Sequence, residues 1–286
     1  MSVLVTGFTG KVGSEVAKKL KEKGIDYICT VRNVEESQER YGTQFNLKAF
    51  DFTDPSTFDS ALEQIDQIFL MYPPGDDLKF EQFLHRAKER NVKHIVYLSV
   101  KDVQYLPFIH HFKNEKLIRK LGLPYTFIRA GYFMQNLTDF LGNEIKERQR
   151  IFIPAGKGKT SFVDTRDLAE VAAEVFQNPT NHRNQKYVVT GDHALDFYEV
   201  AEQMTEVLRV NISYDNPSVK EFRKYMIKKG IQEDFVKVVI GIHFPTKLGL
   251  ARGISHDYEK LTNKKPIRMK TFIADNKDRW LKPGGP

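Results

Sequence analysis

Residues 3–23 read VLVTGFTGKVGSEVAKKLKEK: an apolar run, a turn with three glycines and an amphipathic stretch follow one another. This order predicts a strand, a tight turn and a helix, which is the setting that a dinucleotide-binding motif needs. Glycines at the turn let the backbone approach a pyrophosphate, whose charge then rests on the N–H groups at the start of the helix. The residues expected to bind the cofactor here are Gly7, Phe8, Thr9, Gly10, Lys11, Val12 and Gly13.

Apolar runs and amphipathic stretches alternate along the first 130 residues. The predicted strands are residues 3–5, 27–31, 46–50, 67–71, 94–98 and 125–129. The predicted helices are residues 11–23, 35–41, 55–63, 77–90 and 108–121, with Asp54 as an N-cap before Pro55. The alternation is typical of parallel strands joined by crossover helices, so we expect an α/β fold with a doubly wound parallel (Rossmann) sheet.

In the second half of the chain, the alternation of apolar runs and amphipathic stretches is less regular. Helices are predicted at residues 134–148, from Asp164 or Thr165 to 176, and 196–208, and strands at 151–154, 159–163, 186–190 and 211–214. We therefore expect a Rossmann domain over residues 1–150. Residues 151–286 are expected to form a smaller α/β substrate-side lobe interleaved with the end of the sheet, with a disordered tail at 282–286.

Composition narrows the class of protein. A hydrophobic content of 41% and a charged content of 28% are ordinary for a globular protein, and no apolar run is long enough to span a bilayer. The single cysteine, Cys29, lies in an apolar run, which indicates a buried structural role, and no secretory signal precedes the first strand. A cytoplasmic protein without a membrane segment is expected.

The net charge of +7 comes from the end of the chain, where residues 218–286 hold 16 Lys and Arg against 7 Asp and Glu. A nucleic-acid surface is one reading. The helical spacing of Lys224, Lys228 and Lys229, without stacking aromatics or a DNA-binding motif, favours a solvated helix face.

The end of the second strand indicates which dinucleotide is bound. A carboxylate there would bond the ribose hydroxyls of NAD, whereas a basic side chain accommodates the phosphate of NADP. The chain has Arg32 at this place, and a guanidinium can hold phosphate through two charged hydrogen bonds. NADP(H) is therefore expected in preference to NAD(H), with Lys11 as a second cation near the phosphates. The alternative is that Arg32 is an ordinary surface arginine.

Two further segments follow strands at the edge where ligands of open α/β sheets bind. Asp51 and Phe52 come after the third strand, where the adenine is expected, although Asp51 fits the start of a turn almost equally well. Met71, Tyr72 and Pro73 end the fourth strand and are also expected to contact the cofactor; Tyr72 would pack on a ligand or simply cover the sheet edge.

The glycine turn, Arg32, Asp51 and the segment LGLPYTFIR at residues 121–129 resemble the NmrA-like branch of the atypical short-chain dehydrogenases. The resemblance is specific over residues 1–176 and thin beyond. Its members include type 2 NAD(P)H:quinone oxidoreductases and triphenylmethane reductases, as well as redox-sensing regulators that bind NADP without catalysis. The resemblance implies a Rossmann fold, an NADP(H) cofactor and either of these two kinds of function.

Active members of the wider superfamily use a tyrosine and, four residues later, a lysine. Aligned on the helix that ends before Gly122, those positions fall on Pro107 and His111. Reduction with a tyrosine proton donor is therefore not expected. His111 has an ordinary pKa suited to proton supply, and Glu115, one helical turn on, would orient its ring. The alternative is a surface histidine beside His110.

The resemblance also points to Ser99, which ends the fifth strand where the superfamily often has a catalytic Ser or Thr. Its hydroxyl would bond a substrate oxygen or only cap the strand end. Gly131, Tyr132 and Phe133 follow the sixth strand, and relatives line the nicotinamide and substrate pocket with this segment. An apolar aromatic wall of this kind suits a flat ligand, although such residues also build cores.

Two functions remain open. The first is an NADPH-dependent reductase that transfers hydride to a flat electron-poor acceptor such as a quinone, without the Tyr–Lys pair. The second is a non-catalytic NADP(H)-binding sensor whose C-terminal lobe docks a protein partner or a second copy. No metal site is expected, because His243 and His256 lack partners at ligand spacing.

Overall fold

The computed structural model describes residues 2–281, and the chain divides into two compact units. The first unit comprises Met1–Ala130, Thr165–Val189 and Asp257–Lys264, and the second comprises Gly131–Asp164, Thr190–His256 and Lys265–Pro286. Residues 131–150, which the sequence assigned to the first domain, thus lie in the second unit. The predicted disordered tail at 282–286 is outside the described residues. Among those residues, no helix is both long and apolar enough to cross a membrane.

In chain order, the strands are β1 (Val3–Val5), β2 (Tyr27–Val31), β3 (Leu47–Ala49), β4 (Gln67–Leu70), β5 (His94–Val100), β6 (Tyr125–Ala130), β7 (Tyr132–Phe133), β8 (Arg150–Phe152), β9 (Thr160–Val163), β10 (Gln185–Val189), β11 (Ala194–Leu195) and β12 (Ser213–Asp215). The α-helices are α1 (Gly13–Glu22), α2 (Val34–Tyr41), α3 (Phe58–Ala61), α4 (Phe80–Glu89), α5 (His110–Lys120), α6 (Gly142–Arg148), α7 (Thr165–Gln177), α8 (Phe197–Leu208), α9 (Val219–Lys228), α10 (Glu233–Lys247), α11 (Asp257–Thr262) and α12 (Met269–Asp275).

A seven-stranded parallel sheet forms the centre of the first unit, in the order β10-β6-β5-β4-β1-β2-β3. This confirms the predicted doubly wound sheet. The strand order reverses around β1, which pairs with both β2 and β4, so that Val5 lies opposite Cys29 on one side and Phe69 on the other. Open α/β sheets bind ligands at such a switch point, outside the carboxyl ends of the strands.

Aromatic packing holds the first unit together. Five phenylalanines form one cluster with ring centroids 4.7–5.6 Å apart, namely Phe50, Phe52, Phe58, Phe80 and Phe83. The helix α1 buries Val16, Ala17 and Leu20 and packs against α7. A rigid sheet with its switch point fixed in this way positions the residues described below.

Two local predictions differ from the structure. The helix predicted at 134–148 is a 3₁₀ turn at Met134–Leu137 followed by α6. Between them the N–H of Leu141 bonds the carbonyl of Asn136 (3.1 Å), five residues back, so the regular bonding of a single α-helix is interrupted. The helix predicted at 55–63 begins with a 3₁₀ turn before α3. Its predicted cap is confirmed, since Asp54 accepts from the backbone N–H of Ser56 (3.0 Å).

The second unit has its own core and two small sheets. β9 lies between β7 and β11, and β8 pairs with β12, so β8 and β9 belong to different sheets. Buried side chains of α6, α8, α9, α10 and α12 pack together in one cluster. Capping boxes at Asp196 and Ser218 begin α8 and α9.

Candidate cofactor and active site

The turn between β1 and α1 can be built only with glycine at its key positions. Gly7 has a φ of +67°, in the left-handed region, and its carbonyl accepts from the N–H of Gly10 (2.9 Å). At Gly13, the first residue of α1, a Cβ atom would lie 2.2 Å from the oxygen of Gly7 and 2.6 Å from its carbonyl carbon. The turn therefore lies directly against the start of the helix.

The start of α1 is stabilised by the backbone of the turn, since the N–H of Ser14 bonds the carbonyl of Gly10 (3.1 Å). Its N-cap is Val12, and no side chain within residues 2–281 caps the first N–H groups. Gly7 and Thr9 are exposed, whereas the side chains of Val12 and Phe8 are buried. Of the residues predicted in this turn, Phe8 and Val12 thus offer only their backbone to a ligand.

Thr6 ties the turn to the switch point of the sheet. Its hydroxyl donates to the carbonyl of Phe69 (3.1 Å) and accepts from the N–H of Met71 (2.9 Å). The side chain of Met71 packs over Gly7, since a Cβ on Gly7 would lie 2.9 Å from its sulfur. Met71, Tyr72 and Pro73 are half-buried just beyond β4. The structure therefore brings the predicted segments after β1 and β4 together.

Arg32 lies directly after β2 and is exposed. It precedes Asn33, the N-cap of α2, whose side chain accepts from the N–H of Glu36 (3.0 Å). Within the described part of the chain, the guanidinium has no hydrogen bond or ion pair, so its donors are available to a phosphate.

Asp51 and Phe52 are engaged in local structure. One carboxylate oxygen of Asp51 accepts from the backbone N–H (2.8 Å) and the hydroxyl (2.9 Å) of Thr53, which makes an Asx turn. The ring of Phe52 belongs to the buried aromatic cluster of the first unit. The turn-forming alternative for Asp51 is thus present in the structure.

One face of α5 meets one face of β5. His111, Asn114 and Glu115 share the helix face. Tyr97 and Ser99 are two residues apart on the strand, so both lie on the same side of it. The hydroxyl of Tyr97 lies 2.9 Å from Nδ1 of His111 and accepts from the amide nitrogen of Asn114 (3.0 Å). Tyr97 is completely buried and Asn114 nearly so.

Glu115 is held by a buried ion pair. Arg129 donates to it twice, from Nε to Oε1 (3.0 Å) and from Nη2 to Oε2 (2.7 Å), and the hydroxyl of Ser99 donates to Oε1 (2.8 Å). Because Arg129 and Ser99 occupy the carboxylate, it is Tyr97, not Glu115 as expected, that bonds and orients the ring of His111. The hydroxyl proton of Ser99 is likewise committed to Glu115.

The charge state of His111 differs from the expectation based on its ordinary pKa. Burial lowers the pKa of His111 to about 4, although the nearby Glu115 carboxylate acts in the opposite direction. The ring is therefore neutral at pH 7. Burial raises the pKa of Tyr97, which keeps its hydroxyl protonated. The helix α5 begins only at His110, so Pro107 precedes the helix.

The segment after β6 begins the second unit. A Cβ on Gly131 would lie 2.5 Å from the carbonyl oxygen of Ser161, so within this unit a neighbouring strand requires the glycine. Tyr132 lies with its hydroxyl 3.0 Å from Nε2 of the buried His243, while Phe133 is half-buried. Nδ1 of His243 bonds the carbonyl of Val239 (2.7 Å).

Two other chemistries lack a basis in residues 2–281. No group of three or more His, Cys, Asp and Glu side chains there is arranged to hold a metal ion. Cys29 is buried in β2, and burial raises the pKa of its thiol to about 12, so the reactive thiolate is absent at neutral pH.

Comparison with known proteins decides the family. The NmrA-like family model matches residues 1–273. The chain belongs to the NmrA-like family. It is 30% identical over 240 residues to prestalk A differentiation protein A of Dictyostelium discoideum, and the match covers 82% of this chain and 78% of that protein. It is 28% identical over 270 residues to the NAD(P)H azoreductase of Xenophilus azovorans, covering 92% and 93%.

A solved structure of another protein shares the architecture of this NmrA-like chain. The triphenylmethane reductase of Citrobacter sp., crystallised with NADP(H), superposes with a TM-score of 0.84 at 25% identity, covering 96% of this chain and 100% of that one.

Sequence reasoning missed three residues around α5, namely Tyr97, Asn114 and Arg129 as a partner of Glu115. A signal for them existed. Tyr97 is two residues before Ser99 on a strand, and Asn114 is three residues after His111 on a helix, so each shares a face with a residue that was singled out.

Proposed function

We propose that this chain binds NADP(H) at the turn between β1 and α1. The observation that carries the proposal is the glycine turn packed against an uncapped helix start. A Cβ at Gly13 would clash with the backbone of Gly7, so glycine at this position lets the turn lie against the start of the helix, as pyrophosphate binding requires. The exposed Gly7 and Thr9 leave the outer side of the turn open, and the residues present therefore fit a dinucleotide.

Arg32 supports a preference for NADP(H) over NAD(H). It is an exposed cation at the end of β2, and its guanidinium has no partner within residues 2–281. A phosphate on the adenosine ribose would receive its donors, whereas NAD(H) offers no such group.

The proposed reaction is reduction of an electron-poor aromatic acceptor such as a quinone. The azoreductase and triphenylmethane reductase similar to this chain support it, because both are named for reduction of aromatic compounds. When bound, the dihydronicotinamide supplies a hydride. Conversion of a quinone to its hydroquinone also consumes one proton, which solvent provides because His111 is uncharged at neutral pH.

In this proposal His111 is a hydrogen-bond donor and not a proton source. A neutral imidazole can donate to an acceptor oxygen whose negative charge grows as the hydride arrives. Ser99 takes a structural role, since its hydroxyl donates its hydrogen bond to Glu115. For Gly131, Tyr132 and Phe133, the expected role beside the nicotinamide stays a prediction.

The test uses the purified chain with NADPH and a panel of small quinones and azo dyes. We expect NADPH oxidation above the rate measured without protein, and a His111→Gln variant that binds NADPH normally but turns over more slowly. Calorimetric titration of NADPH and NADH measures binding separately. Absence of NADPH binding would overturn the cofactor assignment and both functions together.

A second candidate is a sensor that binds NADP(H) and docks a protein, favoured by one surface. Six large apolar side chains on or just beyond α10 are about half exposed or more, namely Phe235 (48%), Val238 (56%), Ile242 (50%), Phe244 (56%), Leu248 (56%) and Leu250 (67%). Exposed apolar groups of this kind often mark interaction surfaces. Retained NADPH binding with no turnover of any acceptor would favour the sensor over the reductase.

A further inference from the structure

We propose that Tyr97 is a positioning residue that, held by Asn114, fixes His111 as the tautomer with its proton on Nε2. The inference rests on the proposed function, in which His111 donates a hydrogen bond to the acceptor. It deepens that proposal by naming the nitrogen that donates and the residues that determine it.

Counting donors and acceptors around the hydroxyl of Tyr97 determines the direction of each bond. The amide nitrogen of Asn114 donates to the oxygen (3.0 Å), which occupies one lone pair. The hydroxyl has a single proton, and its other neighbour is Nδ1 of His111 at 2.9 Å. If Nδ1 also donated, the hydroxyl proton of this fully buried tyrosine would have no acceptor, at a cost of about 1–3 kcal/mol.

The satisfied arrangement therefore runs from Asn114 through Tyr97 to His111. Tyr97 donates to Nδ1, Nδ1 carries no proton, and the proton of the neutral ring is on Nε2. Within residues 2–281 no group bonds Nε2, so this donor remains available to a ligand.

The fold leaves the hydroxyl little freedom to move. Tyr97 lies in β5, which is paired on both sides, with β4 and with β6. Its ring packs against Phe80 (centroids 6.2 Å apart) and Phe127 (6.1 Å). Asn114 is itself buried and lies one turn beyond His111 on α5. A hydroxyl fixed in a sheet is a more rigid partner for an imidazole than a loop or a water would be.

The tautomer matters for the class of acceptor. A ring with Nε2–H donates and cannot take a proton there, so it suits a substrate that presents an oxygen or nitrogen lone pair. Quinone carbonyls and azo nitrogens both have one. The opposite tautomer would present a lone pair from Nε2 and would repel the charge that develops on such an atom.

The first experiment reads the tautomer directly, with no cofactor or turnover needed. Nitrogen chemical shifts and two-bond proton–nitrogen couplings are recorded at neutral pH on protein labelled with ¹⁵N-histidine, and His111→Gln assigns the signal. We expect an unprotonated Nδ1 and a protonated Nε2. In Tyr97→Phe, which keeps the ring and its packing, the two nitrogen shifts should move towards each other because the tautomers interchange. A proton on Nδ1 in the unmodified protein would overturn the inference.

The second experiment measures the consequence for turnover. Tyr97→Phe should lower kcat at least about tenfold while the KM for NADPH stays unchanged, because the lost bond orients only the acceptor side. The matched control is Tyr187→Phe on strand β10, which removes a similar bond, between the Tyr187 hydroxyl and Nδ1 of His182 (2.8 Å). The control should leave kcat and the His111 signal unchanged.

The outcomes separate the two proposals. If His111 has the expected tautomer but the protein fails to oxidise NADPH with any of the acceptors tested, the tautomer assignment stands and the proposed function is overturned. Turnover in the unmodified protein, with full activity in Tyr97→Phe, supports the proposed function and overturns the positioning role of Tyr97.

Discussion

Replacing Gly13 by alanine tests the geometry on which cofactor binding depends. The added Cβ would lie 2.2 Å from the oxygen of Gly7, 2.6 Å from its carbonyl carbon and 2.9 Å from the nitrogen of Phe8, whereas ordinary contacts are 3.4–4 Å. These are backbone atoms, so the turn and the helix must separate by roughly 1 Å. Overpacking of this kind costs about 2 kcal/mol, which lowers the melting temperature by about 4–8 °C in a unit of this size.

Gly241→Ala is the matched control. Gly241 lies inside α10, and a Cβ there meets nothing within 4 Å. The same substitution should stabilise the protein by up to about 1 kcal/mol, because alanine is the better helix former. Both variants are melted without cofactor and then titrated with NADPH by calorimetry. We expect only Gly13→Ala to weaken binding, by at least about tenfold, because its turn no longer fits a pyrophosphate. A Gly13→Ala protein with an unchanged melting temperature and normal NADPH affinity would refute the reasoning.

Three further predictions concern single side chains. Arg32→Ala should weaken NADPH binding at least about tenfold in calorimetry and leave NADH binding nearly unchanged; equal losses would show that Arg32 does not hold the phosphate. Glu115→Gln should cost about 3 kcal/mol in urea unfolding, because Arg129 keeps a buried charge without its carboxylate; a loss below about 1 kcal/mol would contradict this. Burial lowers the pKa of His243 from 6.5 to about 4, so the unfolded chain binds more protons between these values. The unfolding free energy should therefore fall as the pH drops from 6.5 towards 4, by up to about 3 kcal/mol from this residue; His243→Gln should reduce that slope, and an unchanged slope would count against a buried neutral ring.

The fold was predictable because its signals are local. The spacing of Gly7, Gly10 and Gly13 after an apolar run indicates a strand, a turn and a helix, and short-range sterics enforce all three. The parallel order of the central strands follows from the alternation of runs and amphipathic stretches. The division into units was less accessible. It depends on which segments pack together over long sequence separations. The helices α7 and α11 and the strand β10 belong to the first unit, and no local sequence pattern indicates this.

The helix predicted at 134–148 is interrupted by backbone bonding that hydrophobic periodicity does not record. The apolar positions suit one long helix. Between the 3₁₀ turn and α6, however, the N–H of Thr138 bonds a carbonyl three residues back and the N–H of Leu141 bonds one five residues back. Such changes in the spacing of backbone hydrogen bonds leave the pattern of apolar residues intact, so the sequence pattern does not show where the helix is divided.

The contacts of His111 were only partly predictable. Sequence spacing places His111 and Glu115 on one helix face, and from that alone Glu115 is the natural partner of the ring. In the structure, Glu115 accepts hydrogen bonds from Arg129 and Ser99, which lie on two different strands. The ring of His111 is hydrogen-bonded to Tyr97 instead. A carboxylate accepts from whichever donors the tertiary fold supplies, and spacing along one helix does not reveal them.

The charge state of His111 depends on burial, which spacing along the helix does not reveal. Glu115 still favours the imidazolium, but burial outweighs it and lowers the pKa of His111 to about 4. The Tyr97 hydroxyl that contacts Nδ1 is uncharged and supplies no counter-ion to the ring. The ring expected to supply a proton is therefore neutral at pH 7. The proposed reductase would then rely on a fixed dipole beside the acceptor and on solvent for the proton, so its turnover should not follow the titration of a histidine near pH 6.5.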